Sequence, residues 1–163
     1  MPLPPPSPPA FTRTIALPSQ EATERLASAL ARVLLPGDVV SLGGDLGAGK
    51  TTLARAVIRA LTADPDEEVP SPTFTLVQTY DTPSGAVWHF DLYRLCCPDE
   101  MLELGWDEAI GTAIVLVEWP DRLGPLAPAD RLELTLAVTG PSSRTAVLTY
   151  GKHWYNRCES LPA

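Results

Sequence analysis

Apolar residues in the first half of the chain follow strand-like and helix-like spacings in turn. Residues 11–17 form a short apolar, β-branched run that is typical of a strand. Between residues 20 and 34 apolar side chains recur at helical spacing after Ser19, which stands at the N-cap position, so this segment is predicted as an amphipathic helix. Residues 38–42 predict a buried strand, and helical spacing returns over residues 50–63. This half of the chain therefore predicts an α/β fold.

Two further strand-like runs follow, at residues 74–80 and 87–93. The sequence between them contains DTPSG, which is short and rich in turn formers. A parallel crossover needs about a dozen residues or more, so this connection predicts an antiparallel hairpin. The sheet should consequently be mixed.

The remaining apolar pattern completes one domain. A short helix is predicted from Pro98 to Gly105, and residues 113–117 form an uninterrupted apolar run, as expected of a central strand covered on both faces. Residues 131–138 and 145–150 predict a second hairpin. We therefore expect one α/β domain whose mixed central sheet, a parallel core with antiparallel hairpins, is flanked by helices.

The limits of this domain are predicted from composition. Residues 1–10 contain six prolines and no charged side chain, which predicts a disordered Pro-rich tail. A ligand for a proline-recognition domain is the alternative interpretation of this segment. The folded domain is expected to span residues 11–152, and residues 153–163 are expected to form a C-terminal tail.

Composition and charge narrow the class of function. The chain has 163 residues, of which 45% are hydrophobic and 20% charged, enough for a single sizeable core. A net charge of −8 disfavours direct binding of nucleic acid, so any role near RNA is expected to run through partner proteins. We expect a cytoplasmic protein with free thiols, because no signal peptide or membrane span is visible and its three cysteines cannot all pair.

The run GDLGAGKT, from Gly44 to Thr51, satisfies the pattern G-x-x-x-x-G-K-[ST] in full. Its glycines allow backbone N–H groups to turn inward around phosphates, and the following helix adds the positive end of its dipole. Lys50 is expected to reach the β- and γ-phosphates, and the Thr51 hydroxyl to join the ligands of Mg²⁺. An accidental glycine-rich turn is disfavoured, because the chain has only two lysines and both flanking elements fit. We therefore predict an ATP-binding P-loop NTPase domain.

Two carboxylates are candidates for chemistry beside this loop. Glu118 follows the apolar run 113–117, so it is expected at the carboxyl edge of the sheet, where it can hold the metal. The alternative is an exposed residue at a strand end. Asp91 lies inside an apolar run, where it must be paired, solvated or functional, and a salt bridge to Arg94 or another arginine is its structural alternative. His89 shares the face of Asp91 and is interpreted as a structural histidine.

Four strings occur along the chain in one order: GDLGAGKTT at 44–52, SPTFTLV at 71–77, HFDLYRL at 89–95 and VEWP at 117–120. Together they resemble the bacterial TsaE family, also named YjeE, the ATPase subunit of the complex that forms threonylcarbamoyladenosine in tRNA. The P-loop alone is shared with many NTPases, whereas its combination with the other three strings is specific. The resemblance extends over nearly the whole predicted domain.

This resemblance implies a function. Members of the family are small P-loop ATPases that use ATP and Mg²⁺ and bind a heterodimer of two related proteins, TsaD and TsaB. The heterodimer transfers a threonylcarbamoyl group to N6 of adenosine 37 in tRNAs that read ANN codons. ATP hydrolysis by the small subunit is thought to reset the complex between turnovers, and the tRNA would be held by the partners.

The resemblance also implies roles for individual residues. Lys50 would act on the phosphates, Thr51 with Glu118 would hold Mg²⁺, and Asp91 would orient the attacking water. Thr73 would face the γ-phosphate from SPTFTL, a switch-like segment. The implied nucleotide-binding positions are Asp45, Leu46, Gly47, Ala48, Gly49, Lys50, Thr51 and Thr52 in the loop, Trp119 near the nucleotide, and Ser19 and Arg144 toward the adenine.

Two alternative functions remain open at the level of sequence. One is a small-molecule kinase on the same P-loop fold, which would need a substrate pocket and basic residues in a lid. The other is a nucleotide-sensing adaptor that does not hydrolyse ATP. Phosphate release with and without the partner heterodimer distinguishes all three functions.

Overall fold

A seven-stranded mixed sheet is the frame of the structure, a computed structural model that describes residues 10–162. Its spatial order is β1-β7-β6-β2-β5-β4-β3. Strands β6, β2, β5 and β4 are mutually parallel, and β1–β7, β6–β7 and β3–β4 are antiparallel pairs. The strands are β1 Phe11–Leu17, β2 Val39–Gly43, β3 Val77–Thr82, β4 Gly85–Asp91, β5 Ile114–Glu118, β6 Leu132–Val138 and β7 Arg144–Tyr150. The expected parallel core with antiparallel hairpins is therefore confirmed.

Helices cover both faces of this sheet. Helix α1 begins as the sequence predicts, because the Ser19 hydroxyl accepts a hydrogen bond from the Ala22 amide at 3.2 Å. Within residues 10–162, no helix combines the length and apolarity that crossing a bilayer requires. The helices are α1 Gln20–Val33, α2 Lys50–Thr62, α3 Glu100–Glu103, α4 Trp106–Thr112 and α5 Tyr155–Glu159, with 3₁₀ segments at Pro120–Leu126 and Lys152–Trp154.

The alternation of side chains along the parallel strands divides the core into two layers. Val40, Leu42 and Leu116 point to the layer that packs against α1 and α2. Val39 and Val117 point to the opposite layer, with α4 and the 3₁₀ segment after β5. Every residue of β5 is buried, so the prediction of a central strand covered on both faces is confirmed.

One predicted strand begins later than expected. The sequence predicts a strand from residue 74, but residues 73–76 form a turn closed by a 2.7 Å hydrogen bond from the Leu76 amide to the Pro72 carbonyl. Leu76 adopts a left-handed backbone conformation with φ of 69°. Its carbonyl accepts a hydrogen bond from the Asp91 amide, which fixes the turn over the end of β4.

Helix α4 was not predicted, because Gly105 was interpreted only as the end of the preceding helix. Gly105 also serves as the N-cap of α4, with a positive φ of 87°. A Cβ at this position would approach the Trp88 ring to 2.9 Å, so the backbone passes where a side chain has no room. The next residue, Trp106, is 1% exposed and anchors α4 in the core.

Residues 153–162, predicted as a C-terminal tail, are instead packed against the domain. Trp154, Cys158 and Leu161 are each no more than 3% exposed. Arg157 donates hydrogen bonds to both carboxylate oxygens of Asp38 and to the Val33 carbonyl. The prediction failed because the apolar positions of this short segment are too few to show helical spacing. Burial also raises the pKa of the Cys158 thiol to about 12.

The other predicted tail, residues 1–10, lies almost wholly outside the described residues. The remaining cysteines, Cys96 and Cys97, are exposed, and all three thiols are free, as expected.

Arg157→Ala should lower the free energy of unfolding by about 1–3 kcal/mol, because it leaves the buried Asp38 carboxylate without its charged partner. Chemical denaturation measures this difference. Arg25→Ala, at an exposed position of α1, is the matched control and should leave the midpoint nearly unchanged. Equal stability of the two variants would show that the Arg157–Asp38 ion pair contributes nothing to the stability of the fold.

Candidate functional site

The loop between β2 and α2 has the backbone shape that the sequence motif requires. Gly44, Gly47 and Gly49 all have positive φ, at 130°, 81° and 105°. A Cβ at Gly44 would lie 2.4 Å from the Leu136 carbonyl oxygen, so only glycine fits there. Gly49 is the N-cap of α2 and provides no side-chain cap, which leaves the first-turn amides of α2 directed into the loop. This arrangement can bind an anion through backbone N–H groups and the helix dipole.

Lys50 lies at the centre of this loop and is only 5% exposed. Its ammonium donates hydrogen bonds to the carbonyls of Gly44 at 2.6 Å and Asp45 at 2.8 Å. It also lies 4.0 Å from the centre of the Trp119 ring, in a cation–π contact. Burial lowers the pKa of Lys50, and the nearby negative charges of Glu118 and Asp91 oppose that shift.

Two carboxylates meet at the carboxyl edge of the sheet beside Lys50. The parallel register of β4 and β5 pairs Asp91 with Glu118, and both point to the α2 side. The Glu118 Oε1 atom accepts a hydrogen bond from the Thr51 hydroxyl at 2.7 Å, and its Oε2 atom lies 2.7 Å from Nε2 of His89. Glu118 is 2% exposed, so the alternative of an exposed strand-end residue is wrong.

Asp91 is bonded within the site. Its Oδ2 atom accepts from the Thr73 hydroxyl at 3.1 Å, and its Oδ1 atom accepts from the Tyr93 amide at 3.0 Å. The guanidinium of Arg94 instead lies 4.4 Å from the centre of the Phe74 ring. The alternative of an Asp91–Arg94 salt bridge is therefore not found among the described contacts. The Thr73 bond ties the switch-like segment to the carboxylate.

A cavity of about 370 Å³ brings most of the predicted site residues together. Two larger grooves, of about 640 and 470 Å³, lie along α1 and between α1 and α2. Neither is lined by Lys50, Asp91 or Glu118, so the smaller cavity is the candidate site. The 370 Å³ cavity is lined by Leu46, Gly47, Gly49, Lys50, Thr51, Thr52, Ser71, Thr73, Asp91, Tyr93, Glu118, Trp119 and Arg144.

The other predicted loop residues stabilise the loop mainly through hydrogen bonds to their backbone carbonyls. Asp45 is exposed and its carbonyl accepts from both Lys50 and the Ala48 amide. Ala48 is 1% exposed, and its carbonyl accepts from Nε of Arg144 at 3.0 Å. Leu46 is 80% exposed at the rim of the cavity.

The two residues expected toward the adenine are placed differently from each other. Arg144 lines both the 370 Å³ cavity and an adjoining one of about 220 Å³ on the α1 side of the loop. Ser19 lines neither cavity, because its hydroxyl caps α1, and its neighbours Gln20 and Thr23 line the adjoining cavity instead. Thr52 lines both cavities and connects them.

Sequence reasoning missed two residues of this site, His89 and Tyr93. The Tyr93 ring packs 5.1 Å from that of Trp119, which adopts a left-handed backbone conformation directly after Glu118. His89 is fully buried against Glu118. The alternation along β4 already placed His89 on the face of Asp91, but its partner on β5 follows only from the strand register.

The oxygen atoms of Thr51 and Glu118 fit a hard divalent cation such as Mg²⁺. A hydroxyl and a carboxylate lie 2.7 Å apart beside a loop that can bind phosphates, which is the ligand set Mg²⁺ takes in phosphate-binding sites. No group of three or more His, Cys, Asp or Glu side chains suited to a metal occurs in residues 10–162. These residues therefore suit a cation held jointly by protein and phosphate oxygens better than one held by protein alone.

Comparisons with known proteins agree on one family. The family model described as threonylcarbamoyl adenosine biosynthesis protein TsaE matches residues 17–146. The tRNA threonylcarbamoyladenosine biosynthesis protein TsaE of Rickettsia felis is 40% identical over 130 residues, which cover 80% of this chain and 75% of the relative. The protein of the same name from Bacillus subtilis is 36% identical over 143 residues, which cover 86% of this chain and 88% of the relative.

A solved structure agrees with the fold. The crystal structure of Bacillus subtilis YdiB is similar with a TM-score of 0.74 and 29% sequence identity, covering 94% of this chain and 95% of that chain. The expected α/β P-loop fold with a mixed sheet is thereby confirmed.

Lys50→Ala should weaken ATP binding by about 1.5–3 kcal/mol, because it removes a desolvated, charge-assisted contact to phosphate. Calorimetric titration measures the affinity, and circular dichroism checks that the fold is retained. Lys152→Ala is the matched control, since Lys152 is the only other lysine and is exposed. Unchanged affinity in Lys50→Ala would refute the assignment of the phosphate site.

Proposed function

The chain belongs to the TsaE family of threonylcarbamoyl adenosine biosynthesis proteins, and on that premise we propose that it is a Mg²⁺-dependent ATPase acting with partner proteins in tRNA modification. The modification is the threonylcarbamoyl group on N6 of adenosine 37 in tRNAs that read ANN codons. One observation carries the proposal: a P-loop lysine, a hydroxyl and two buried carboxylates line a single cavity.

The P-loop would bind the phosphates of ATP. Positive-φ glycines and the first-turn amides of α2 supply donors that need no rearrangement to meet an anion. Lys50 adds a charge that is already desolvated and directed at the loop. Thr52 and Arg144 line the adjoining cavity and would meet the nucleoside part of the ligand.

Thr51 and Glu118 would hold the Mg²⁺ ion. Bound there, the ion would supply positive charge that offsets the negative charge developing on the phosphates. The chain's own contribution is to place the Thr51 hydroxyl and the Glu118 Oε1 atom side by side next to the loop, 2.7 Å apart.

Asp91 would orient the water that attacks the γ-phosphate. It is buried, its Oδ2 atom already accepts from Thr73, and a carboxylate oxygen has room for a second hydrogen bond. Thr73 lines the cavity from the SPTFTL segment and would respond to the γ-phosphate. The bond between these two residues couples that segment to the water position.

Among the described residues, no arginine without other hydrogen bonds lines the cavity to stabilise the transition state. Arg144 is the arginine among the residues that line the cavity, and its guanidinium already donates to the carbonyls of Ala48, Gly140 and Ser143. Arg94 stacks on Phe74 instead of entering the cavity. In P-loop enzymes an added arginine contributes roughly 10³–10⁵ in rate, so slow turnover by the isolated chain is expected.

Partner proteins would supply what this site lacks. The proposed partner is the threonylcarbamoyltransferase heterodimer of TsaD and TsaB type, closing over the segment that carries Thr73. Phe74, on that segment, is 79% exposed, and Leu46, which lines the cavity, is 80% exposed, so both offer apolar surface to a partner. With a net charge of −8, contact with tRNA would run through the partners. ATP hydrolysis would reset the complex between turnovers.

Phosphate release with and without the heterodimer tests this function against its alternatives. A kinase would consume ATP only with a small acceptor molecule, and an adaptor would show no turnover. The proposed ATPase should turn over slowly alone and accelerate with its partners. Release that is unaffected by the partners would contradict the proposal.

Glu118→Gln should lower Mg²⁺-dependent hydrolysis by roughly a hundredfold or more while metal-free nucleotide affinity changes little, because the amide keeps the size and removes the charge that attracts the cation. Steady-state phosphate release and calorimetry measure the two quantities. Glu108→Gln, exposed on α4, is the control. If Glu118→Gln hydrolyses ATP at the wild-type rate at saturating Mg²⁺, Glu118 has no metal role.

Asp91→Ala should bind ATP and the partners normally yet lose about 10²–10⁴-fold of the stimulated rate, because water positioning is removed without touching the phosphate loop. Single-turnover kinetics of the complex measure this rate. Asp81→Ala, exposed on β3, is the control. Full stimulation of Asp91→Ala, or a free subunit as fast as the complex, would refute a site completed by partners.

A further inference from the structure

His89 is the most deeply buried titratable side chain near the proposed metal ligands, and no step of the proposed chemistry uses it. It lies on β4, two residues before Asp91, and is 0% exposed. The β4–β5 register pairs it with Leu116, so it points to the α2 side and lies directly behind Glu118. A buried imidazole in this position needs a reason, because burying polar atoms costs free energy unless they are hydrogen-bonded.

The reason lies in how the Glu118 carboxylate is held. Its two oxygens have different partners: Oε1 faces the Thr51 hydroxyl at 2.7 Å, and Oε2 faces Nε2 of His89 at 2.7 Å. Glutamate has three rotatable side-chain bonds, and a carboxylate bonded at one oxygen alone could still turn about its long arm. Bonding at both oxygens fixes the plane of the group and leaves Oε1 as the oxygen beside Thr51.

The chemistry of the contact also defines the imidazole. A carboxylate can only accept hydrogen bonds, so Nε2 of His89 must carry the proton and donate it. The other ring nitrogen, Nδ1, is buried and has no hydrogen-bond partner among the described residues. An unpaired lone pair is tolerated there more readily than an unpaired N–H, so the geometry favours the proton on Nε2 over Nδ1.

We propose that His89 is the positioning residue of the metal site: it donates from Nε2 to Oε2 of Glu118 and thereby directs Oε1, with the Thr51 hydroxyl, at Mg²⁺. His89 itself contacts neither the ion nor the nucleotide. The inference rests on the proposed function, since it assumes that Thr51 and Glu118 hold Mg²⁺. Partners of this kind commonly change metal affinity by about 10–100-fold when they are removed.

The test measures metal binding and not turnover. The affinity of the full-length protein for a non-hydrolysable ATP analogue is titrated by calorimetry over a series of Mg²⁺ concentrations, which gives the Mg²⁺ concentration at half-maximal effect. His89→Leu replaces the imidazole with an apolar side chain of similar bulk and so removes the hydrogen-bond donor. His89→Gln can place an amide N–H where Nε2 lies. Val87→Ala, two residues earlier on the same buried face of β4, is the control for general damage to the core.

His89→Leu should need about 10–100-fold more Mg²⁺ at unchanged metal-free affinity, while His89→Gln recovers most of the loss and Val87→Ala matches the wild type. Equal Mg²⁺ requirements in His89→Leu and the wild type would overturn the positioning role, as would the same loss in Val87→Ala. If the wild type itself shows no Mg²⁺ effect, the proposed metal site fails and this inference falls with it, and that outcome is visible without any variant.

A second measurement does not depend on whether His89→Leu folds, because it observes His89 itself. The chain has only two histidines, and His153, with a side chain 63% exposed, is an internal reference for ¹⁵N NMR of the imidazoles. His89 should show its proton on Nε2, and Glu118→Gln should shift the His89 signals and leave those of His153 in place. A His89 ring protonated only on Nδ1 would overturn the inference, because Nε2 could not then donate to the carboxylate.

Discussion

The parallel pairing of β4 with β5 is the constraint on which the site depends. Its register sets Asp91 beside Glu118, and the strand alternation turns both toward α2. A shift of one residue would send either carboxylate to the opposite layer, among the apolar contacts of Trp106 and Val117. Hydrophobic burial on both faces of β5 therefore stabilises the site as well as the core, because the same packing fixes the positions of the carboxylates relative to the loop around Lys50.

The sequence predicted those parts of the molecule whose signals are local. The loop around Lys50, the helix after it and the buried strand before Glu118 each follow from a contiguous pattern, and the structure agrees with them. The contact between His89 and Glu118 was not predictable in the same way, because the two residues are 29 positions apart and meet only through strand register. The C-terminal helix was missed for a related reason: its stability comes from burying Trp154 and Cys158 against a surface formed earlier in the chain.

Backbone strain is concentrated at the same site. Of the three non-glycine residues with positive φ in residues 10–162, Trp119 lines the cavity directly after Glu118, and the Leu76 carbonyl accepts a hydrogen bond from the Asp91 amide. Such conformations cost on the order of 1–2 kcal/mol each and persist where surrounding contacts determine them. The turn at Leu76 is fixed by hydrogen bonds to Pro72 and Asp91, and the conformation of Trp119 brings its ring over Lys50. The strained backbone at these two residues helps to position the carboxylates. Trp119 directly follows Glu118, and Leu76 is hydrogen-bonded to the backbone of Asp91.

The charges in the 370 Å³ cavity explain why both carboxylates need hydrogen-bond partners. Two buried carboxylates lie beside the loop where the proposed polyanion would bind, so each would repel that ligand. The cations that line the same cavity are the buried Lys50 and Arg144, whose guanidinium is already bonded to three carbonyls. The backbone amides and the helix dipole offset part of this repulsion, but an unpaired carboxylate beside the phosphates would weaken binding. Asp91 avoids that by accepting from Thr73 and the Tyr93 amide, and Glu118 by facing a hydroxyl on one side and an imidazole on the other. Under the proposed function, such a site would favour a nucleotide that arrives with a divalent cation, because both the carboxylates and the phosphates would attract the cation.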